Sequence, residues 1–212
     1  METSTRMSTT EDPRELLREA RDADSRDPLR RFRDAFSLPQ GSDGRTSAYL
    51  CGNSLGPLPV DARKKVHECL ESWAERGVEG HFEGPAPWYR YHEPLREGLA
   101  RRVGAKPTEV VAMNALTVNL HLMLTSFFRP DSAGKRTKIV ADGPLFPSDR
   151  YALQSHLHLH GLDPSAHLII LEPDSSGLVC ENTIEAFLDQ HGDEVALALF
   201  SGVNFLTGQR LP

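Results

Sequence analysis

The sequence has few cysteines, no long apolar run and no excess of basic residues. Three cysteines in 212 residues, with no CxxC pair, argue against a disulfide framework or a zinc ribbon. No apolar run approaches the roughly 20 residues that cross a bilayer, and the N-terminus has no apolar signal core. A net charge of −6 without a Lys/Arg stripe argues against nucleic-acid binding. These absences favour a cytoplasmic globular protein that binds neither membranes nor nucleic acid.

Histidines and cysteines offer little for a metal site. His156, His158 and His160 would share a face only on a strand, and the cap and glycine that flank them favour a helix. On a helix only His156 and His160 lie together, and no cysteine or carboxylate is adjacent in sequence, so we predict no metal centre. The free cysteines are expected to be small buried residues; they are Cys51, Cys69 and Cys180.

Composition divides the chain into three parts. Residues 1–48 form a charged helical arm and a polar loop, with seven acids and seven arginines between Asp12 and Asp34. Residues 49–104 contain glycine-rich loops and two helices. The first helix spans 60–76 and the second begins near Glu93. Their buried stripes are predicted to be Val66, Leu70 and Trp73 on the first, and Leu95, Leu99 and Val103 on the second.

Residues 105–212 alternate between short apolar strands and helices. The strands are predicted at 110–114, 138–141, 167–171 and 195–200, and the helices at 117–128, 148–160 and 181–190, the second one capped by Ser148. Strands that are apolar throughout and alternate with helices are typical of a parallel sheet covered on both faces. The sequence therefore predicts an α/β fold. Because the sheet is incomplete after four strands, we expect the first half of a larger domain.

Polar residues follow three of the predicted strands, where open α/β sheets bind ligands. Residues 114–117 open a helix and offer free N–H groups to a phosphate, although an ordinary Thr cap explains them equally well. Residues 146–149 offer a ring, a hydroxyl and a carboxylate, and Ser201 follows the last strand. Each feature alone also fits a cap or a turn. Together they favour a planar, phosphorylated cofactor.

Five segments together resemble kynureninase, in that family's order and at compatible spacing. They are CGNSLG at 51–56, GHFEG followed by PW at 80–88, MNALTVNLHLML at 113–124, FPSD at 146–149 and SGVNFLTGQ at 201–209. The resemblance extends from about residue 49 to residue 212. Each segment alone is modest, but the set is specific.

The resemblance implies a fold and an activity. Kynureninases are homodimeric fold type I enzymes that use pyridoxal 5'-phosphate (PLP), so the chain is expected to form part of the three-layer α/β/α large domain, preceded by the helical arm. The family hydrolyses L-kynurenine or 3-hydroxy-L-kynurenine to anthranilate or 3-hydroxyanthranilate and L-alanine. The expected roles are therefore in tryptophan catabolism and NAD biosynthesis.

Site residues carry over by matching positions in the family's motifs. The resemblance implies that Leu116 and Thr117 hold the cofactor phosphate and that Phe146 stacks on the pyridine ring. It also implies that Ser201 adds a contact and that the rest of the FPSD segment lies at the cofactor, namely Pro147, Ser148 and Asp149. Two loop residues, Ser54 and His81, are expected to line the substrate pocket.

The match ends before the residues that the family uses for covalent chemistry. The Schiff-base lysine, the Asp that pairs with the pyridine nitrogen and the C-terminal domain lie later in a kynureninase. None of this chain's lysines is in a desolvated position of the kind such a lysine needs, so we expect no catalytic residue here and an inactive isolated chain. Two alternatives are a truncated, non-catalytic binding or dimerising protein and another fold type I enzyme, such as a cysteine desulfurase relative.

Overall fold

The computed structural model describes residues 12–131 and 133–211. These residues fall into two compact units, divided between Tyr91 and His92. The division follows compactness alone and does not test the boundaries of 1–48, 49–104 and 105–212, which stay a prediction. The first eleven residues of the predicted arm lie outside the described residues.

The first unit is mainly helical. Helix α1 (Pro13–Arg26) begins after Asp12, whose carboxylate accepts the Arg14 N–H at 2.9 Å and so satisfies one free donor of the first turn. Two short strands, β1 (Phe36–Ser37) and β2 (Leu58–Pro59), pair antiparallel. They lead into helix α2 (Val60–Arg76), which ends where Gly77 adopts a φ of 54°. The predicted helices at both places are confirmed.

The second unit begins with helix α3 (Arg96–Val103), which follows a short 3₁₀ turn. Helix α4 (Leu116–Phe127) comes next, followed by alternating elements that build the sheet and its covering helices. They are β3 (Lys138–Asp142), α5 (Pro147–Leu159), the single turn α6 (Pro164–His167), β4 (Leu168–Leu171), α7 (Glu181–His191) and β5 (Val195–Leu199). The predicted helices and the last three predicted strands are confirmed, with ends that differ by a few residues.

The sheet has the order β4-β3-β5, and both of its pairings are parallel. Ile139, Val140 and Ala141 of the central strand are fully buried. Ile139 and Ala141 face α4 and α5, in a core with Leu124 and Leu153. The alternate residue Val140 faces the opposite side, where α7 packs. Helices therefore cover both faces, which is the predicted partial three-layer α/β/α arrangement.

The predicted strand at 110–114 is wrong. Val110 has extended dihedral angles, but residues 110–113 join no ladder among the described residues. Val111 and Met113 are about half exposed. A strand requires a hydrogen-bonded neighbour, and a run of apolar residues does not provide one.

The apolar stripes predicted to be buried on two helices are exposed. The relevant side chains have 38–68% of their surface exposed: Val66, Leu70 and Trp73 on α2, and Leu95, Leu99 and Val103 near or on α3. Ala100 is the buried residue of α3. Periodicity identifies which face of a helix is apolar, but whether that face is covered depends on a neighbouring element.

None of the described helices combines the length and the apolar character that a bilayer crossing requires.

Candidate functional site

Two strand ends are joined by a buried carboxylate. Asp142 is the last residue of β3 and has 3% of its surface exposed. Its Oδ1 accepts the backbone N–H of Ser201, just beyond β5, at 2.7 Å. The Gly143 N–H donates to the Leu171 carbonyl of β4 at 2.9 Å, so the third strand reaches the same edge. Ser201 therefore lies at the carboxyl edge of the sheet, as the sequence predicted, and Asp142 is a residue that the sequence analysis missed.

The start of α5 carries the FPSD segment. Phe146 is the N-cap residue and Pro147 occupies the first turn, so the prediction that Ser148 caps this helix is wrong. Pro is favoured at this position because its missing N–H is not needed there. The Ser148 hydroxyl instead donates to Asp149 Oδ1 at 3.3 Å, and both residues are partly buried. The Asp149 N–H donates to the Phe146 carbonyl at 3.0 Å.

The SGVNFLTGQ segment folds against the approach to α5. Phe205 packs edge-on against Phe146, with ring centroids 5.1 Å apart and planes at 89°. Asn204, only 4% exposed, donates from Nδ2 to the Pro144 carbonyl at 3.3 Å. Its Oδ1 accepts the N–H groups of Leu206 and Thr207 at 3.0 and 3.2 Å. Two segments about 55 residues apart in sequence are therefore joined by a ring contact and a buried amide.

The far end of the same loop is fixed by Gln209. Its Oε1 accepts the Val179 N–H at 3.0 Å, and its Nε2 donates to the Val179 carbonyl at 2.7 Å. Val179 is buried, so this amide satisfies a backbone donor and acceptor that water cannot reach. Asn204 and Gln209 both lie within the SGVNFLTGQ motif, but the resemblance assigned a role to neither of them. Their amide side chains were the available signal.

Leu116 and Thr117 form the first turn of α4. Ala115 is the N-cap residue and no side chain caps the helix, so no described side chain accepts from the N–H groups of the first turn. Asn114 has a left-handed φ of 38°, and its Nδ2 donates to Asn119 Oδ1 at 3.2 Å. This turn presents an uncapped positive helix end, which suits an anion.

Helices α4 and α5 begin at the same end of the unit. Phe128, just after α4, packs against His156 and His160 near the end of α5, with ring centroids 5.3 and 5.1 Å apart. Because the C-terminal ends meet and the helices share one core, their first turns lie on the same side. The first turn of α5 follows directly from β3, so α4 also starts near the carboxyl edge of the sheet.

The structure thus brings most of the expected cofactor residues to one edge of the second unit. Phe146, Pro147, Ser148 and Asp149 open α5, and Ser201 is joined to β3 through Asp142. Leu116 and Thr117 lie at the start of the adjacent helix. No hydrogen bond among residues 12–131 and 133–211 joins Thr117 to the FPSD segment or to Ser201.

His81 belongs to the first unit and is held by Trp88. The two rings pack edge-on at 5.1 Å and 86°. Gly80 is buried under the same indole, and a Cβ there would lie 2.8 Å from Trp88 Cη2, so only glycine fits without a shift. His81 also lines an open cavity together with Phe82, Pro87, Tyr89 and Arg90. The GHFEG and PW segments therefore pack against each other through Gly80, His81 and Trp88.

Ser54 lies in a turn of the same unit. Its N–H donates to the Cys51 carbonyl at 3.0 Å, and the Tyr49 hydroxyl donates to the Leu55 carbonyl at 2.6 Å.

The expectation that the cysteines are buried is wrong for two of them. Cys51 and Cys180 are exposed, while Cys69 is half-buried and its thiol donates to the Tyr91 oxygen at 3.7 Å. Small size permits burial of a cysteine but does not cause it.

Every lysine of the chain lies within 4 Å of a carboxylate. Lys64 and Lys65 pair with Glu68, Lys106 with Glu109, Lys135 with Asp193, and Lys138 with Glu194. The hydrogen bond that Lys65 Nζ donates to Glu68 raises the pKa of Lys65. An amine that forms a Schiff base needs the opposite, a lowered pKa.

The histidine pair on α5 is a packed cluster. His156 and His160 share one face, as the helical spacing predicted, with ring centroids 4.9 Å apart. His156 is buried, and its Nε2 has no hydrogen-bond partner among the described residues. Burial lowers the pKa of His156, and the nearby His160 and His121 lower it further. In the part of the chain that the structure describes, no three His, Cys, Asp or Glu side chains are placed to hold a metal ion.

Comparison with solved structures identifies the class of fold. A mutant of C-DES with glycine covalently linked to its PLP cofactor matches with a TM-score of 0.55 and 17% identity. The match covers 76% of this chain and 39% of that chain. At this identity the likeness establishes the fold alone, which is a partial α/β/α architecture of fold type I.

Comparison with curated proteins identifies the particular resemblance, which is to kynureninases. The kynureninase of Xanthomonas campestris pv. campestris (strain B100) is 52% identical over 187 residues, which are 88% of this chain and 43% of that protein. Those of Xanthomonas euvesicatoria pv. vesicatoria and Xanthomonas axonopodis pv. citri are 51% and 50% identical over 188 residues. No family model matches. The resemblance to the N-terminal half of kynureninase is confirmed, and the chain spans less than half the length of these relatives.

Proposed function

We propose that the second unit forms part of a PLP site in a kynureninase-like hydrolase. The observation that carries the proposal is the packing of two motif segments against each other at one sheet edge, while a third segment opens the helix that packs on α5. FPSD opens α5, SGVNFLTGQ packs on it through Phe205, and the start of α4 lies on the same side. These are the segments through which the sequence resembles kynureninase, and that resemblance extends to 52% identity.

The residues at this edge fit the chemistry of the cofactor. A phosphate needs N–H donors, and the first turn of α4 has no side-chain cap competing for them. A pyridine ring needs a flat apolar partner, and Phe146 is 46% exposed, so one part of its ring packs on Phe205 while another part remains free. Ser148 and Asp149 add a hydroxyl and a carboxylate at the start of α5.

The proposed reaction is hydrolysis of L-kynurenine, or its 3-hydroxy form, to anthranilate or 3-hydroxyanthranilate and L-alanine. When bound, PLP supplies an electron sink for the substrate's Cα. The N–H groups of Leu116 and Thr117 bind the phosphate, Phe146 fixes the plane of the ring, and Pro147, Ser148, Asp149 and Ser201 complete its surroundings. In the first unit, Ser54 and His81 contact the substrate, and Trp88 holds the His81 ring in place.

We propose further that this chain does not supply the lysine that anchors the cofactor. Each of its five lysines lies within 4 Å of a carboxylate, and the hydrogen bond that Lys65 donates to Glu68 raises the pKa of Lys65. The isolated chain is therefore expected to bind the cofactor without covalent attachment and without turnover. Borohydride reduction in the presence of PLP should label no single lysine stoichiometrically.

The cellular setting proposed for the whole protein follows from the same resemblance. It is a cytoplasmic homodimer that acts in tryptophan catabolism and NAD biosynthesis. The exposed apolar stripe of α2 supports a role in association, because apolar surface of this kind usually contacts a partner. A different fold type I activity is less well supported, since the likeness to C-DES is 17% identity.

Cofactor binding by the chain is the first test. Titration with PLP, followed by induced circular dichroism in the cofactor's visible band, should give a saturable signal. Thr117→Val removes the hydroxyl that supports the backbone N–H groups at the phosphate and should weaken binding by about tenfold or more, since a hydrogen bond to a charged group contributes about 1.5–3 kcal/mol. Phe146→Leu removes the stacking ring and should weaken binding about two- to tenfold, since an aromatic contact contributes about 0.5–1.5 kcal/mol. Thr125→Val, an exposed change on the same helix α4, is the matched control. Equal affinity in all variants would contradict the proposed site.

Activity is tested by supplying the remaining part of the relative in trans. The Xanthomonas campestris kynureninase, without the 43% that this chain matches, is combined with the chain, and anthranilate fluorescence is followed after adding kynurenine. Activity that needs both parts and disappears with His81→Ala supports the proposed substrate role. A complex that forms, binds PLP and leaves kynurenine unchanged would refute kynurenine hydrolysis.

A further inference from the structure

Phe146 and Phe205 form an aromatic pair that buries little surface. The two side chains are 46% and 50% exposed, although their centroids are only 5.1 Å apart. Burial of apolar area drives core packing, so a half-exposed pair contributes modestly to stability. An edge-on contact does, however, restrict the rotation of both rings. Its main physical consequence is therefore to fix the direction of each ring.

The backbone on both sides of this pair is held by one buried side chain. Asn204 precedes Phe205, and its Nδ2 donates to the carbonyl of Pro144, two residues before Phe146. Its Oδ1 accepts two N–H groups of the turn that follows Phe205. Because Asn204 is 4% exposed, water cannot replace these bonds. The hydrogen bonds of Asn204 therefore fix the backbone before Phe146 and the backbone after Phe205, and so fix the distance between the two rings.

We propose that Phe205 is a positioning residue that sets the plane of Phe146, and that Asn204 sets the place of Phe205. This inference rests on the proposed role of Phe146 as the surface on which PLP stacks. Stacking strength depends on ring orientation, so a Phe146 ring that rotates freely holds the cofactor less tightly. Neither Asn204 nor Phe205 needs to touch the cofactor for this effect.

The test compares variants that keep or lose each contact. Phe205→Leu removes the ring and Phe205→Tyr retains it. Asn204→Ala removes all three amide bonds, whereas Asn204→Asp keeps the acceptor and loses the donor to Pro144. Phe127→Leu is the matched control, because Phe127 is an exposed ring on α4 in the same unit.

Two readouts separate the contact from its consequence. The first is ¹⁹F NMR of the whole chain labelled with fluorophenylalanine, with the Phe146 signal assigned by its loss in Phe146→Leu. The second is PLP affinity from the induced circular dichroism band. Phe205→Leu and Asn204→Ala should shift the Phe146 signal and weaken PLP binding about two- to tenfold. Phe205→Tyr should restore both readouts, and Phe127→Leu should change neither.

Three results would overturn the inference, and they differ from one another. A Phe146 signal unmoved by Phe205→Leu would mean that the ring contact is absent. A shifted signal with unchanged PLP affinity and band shape would mean that the contact has only a structural role. A wild-type chain that gives no PLP signal would refute the proposed cofactor site itself, and the positioning role with it.

Discussion

The carboxylate of Asp142 accepts the backbone N–H of Ser201 at 2.7 Å, across the ends of two parallel strands. The residues are 59 positions apart in sequence, and their bond closes the edge of the sheet where the motif segments gather. Asp142 is almost fully buried, so this acceptor is isolated from competing water. The edge therefore depends on a residue outside every segment by which the sequence resembles kynureninase.

Replacing Asp142 should destabilise the second unit. Asp142→Ala leaves the Ser201 N–H without an acceptor, and an unsatisfied buried donor costs about 1–3 kcal/mol. Asp142→Asn keeps a carbonyl oxygen in the same place and should retain most of the stability. Urea unfolding of both variants measures the difference. An Asp142→Ala chain as stable as the wild type would show that the bond contributes nothing.

Gly80→Ala should displace Trp88. The new Cβ would lie 2.8 Å from the indole, so the ring must shift, and overpacking of this kind costs about 1–3 kcal/mol. Trp88 and the His81 ring that it holds should then become more exposed, which a red shift in tryptophan emission would report. Gly52→Ala is the control in the same unit, because no atom lies within 4 Å of a Cβ there. Identical emission in Gly80→Ala and Gly52→Ala would contradict the packing.

His156 should make the chain less stable in acid. Its folded pKa is lowered from the ordinary value of 6.5 by burial and by two neighbouring histidines. The unfolded chain therefore takes up the proton first, and stability is lost as the pH falls below that value towards the folded pKa. Denaturant midpoints at about pH 7.5 and about pH 5.5 should differ more in the wild type than in His156→Leu. His158→Gln, an exposed change on the same helix, should keep the wild-type difference.

Gln209 should stabilise the loop at 201–209. Gln209→Leu leaves the Val179 N–H and carbonyl without partners, at a cost of about 1–3 kcal/mol. Hydrogen exchange at the Val179 amide should accelerate strongly in this variant. Gln190→Leu, on helix α7, provides a control because the Gln190 side chain is exposed and makes no hydrogen bond among the described residues. Slow exchange at Val179 in both variants would show that another group protects it.

The exposed stripe on α2 should promote association of the chain. Leu70→Glu and Trp73→Glu place charges on a face that is apolar and 53–65% exposed at these positions, so they should reduce self-association. Sedimentation of wild type and variants over a range of concentrations measures this effect. Glu71→Gln, on the same helix, is the control for a change of charge alone. A wild type that stays monomeric at every concentration would contradict the expectation.

The sequence by itself determined the local elements and the segments that carry chemistry. Helix α2 begins and ends at the predicted residues. Glycines at helix ends and short apolar runs also predicted most of the other helices and three strands. Such predictions succeed because capping, periodicity and strand propensity depend on residues that are close in sequence. The same local pattern located Phe146, Thr117 and Ser201 at the ends of strands or the starts of helices. The resemblance to kynureninase also required only the order and spacing of short segments.

Tertiary structure alone decided which local features acquire partners. The apolar residues 110–113 find no neighbouring strand and the stripe of α2 finds no cover among the described residues, whereas Asp142 and Asn204 become buried. Phe205, beyond the end of β5, lies against Phe146, beyond the end of β3, because these two strands pair. Each of these outcomes depends on contacts between residues far apart in the chain, and such contacts leave no periodic trace in the sequence around either partner.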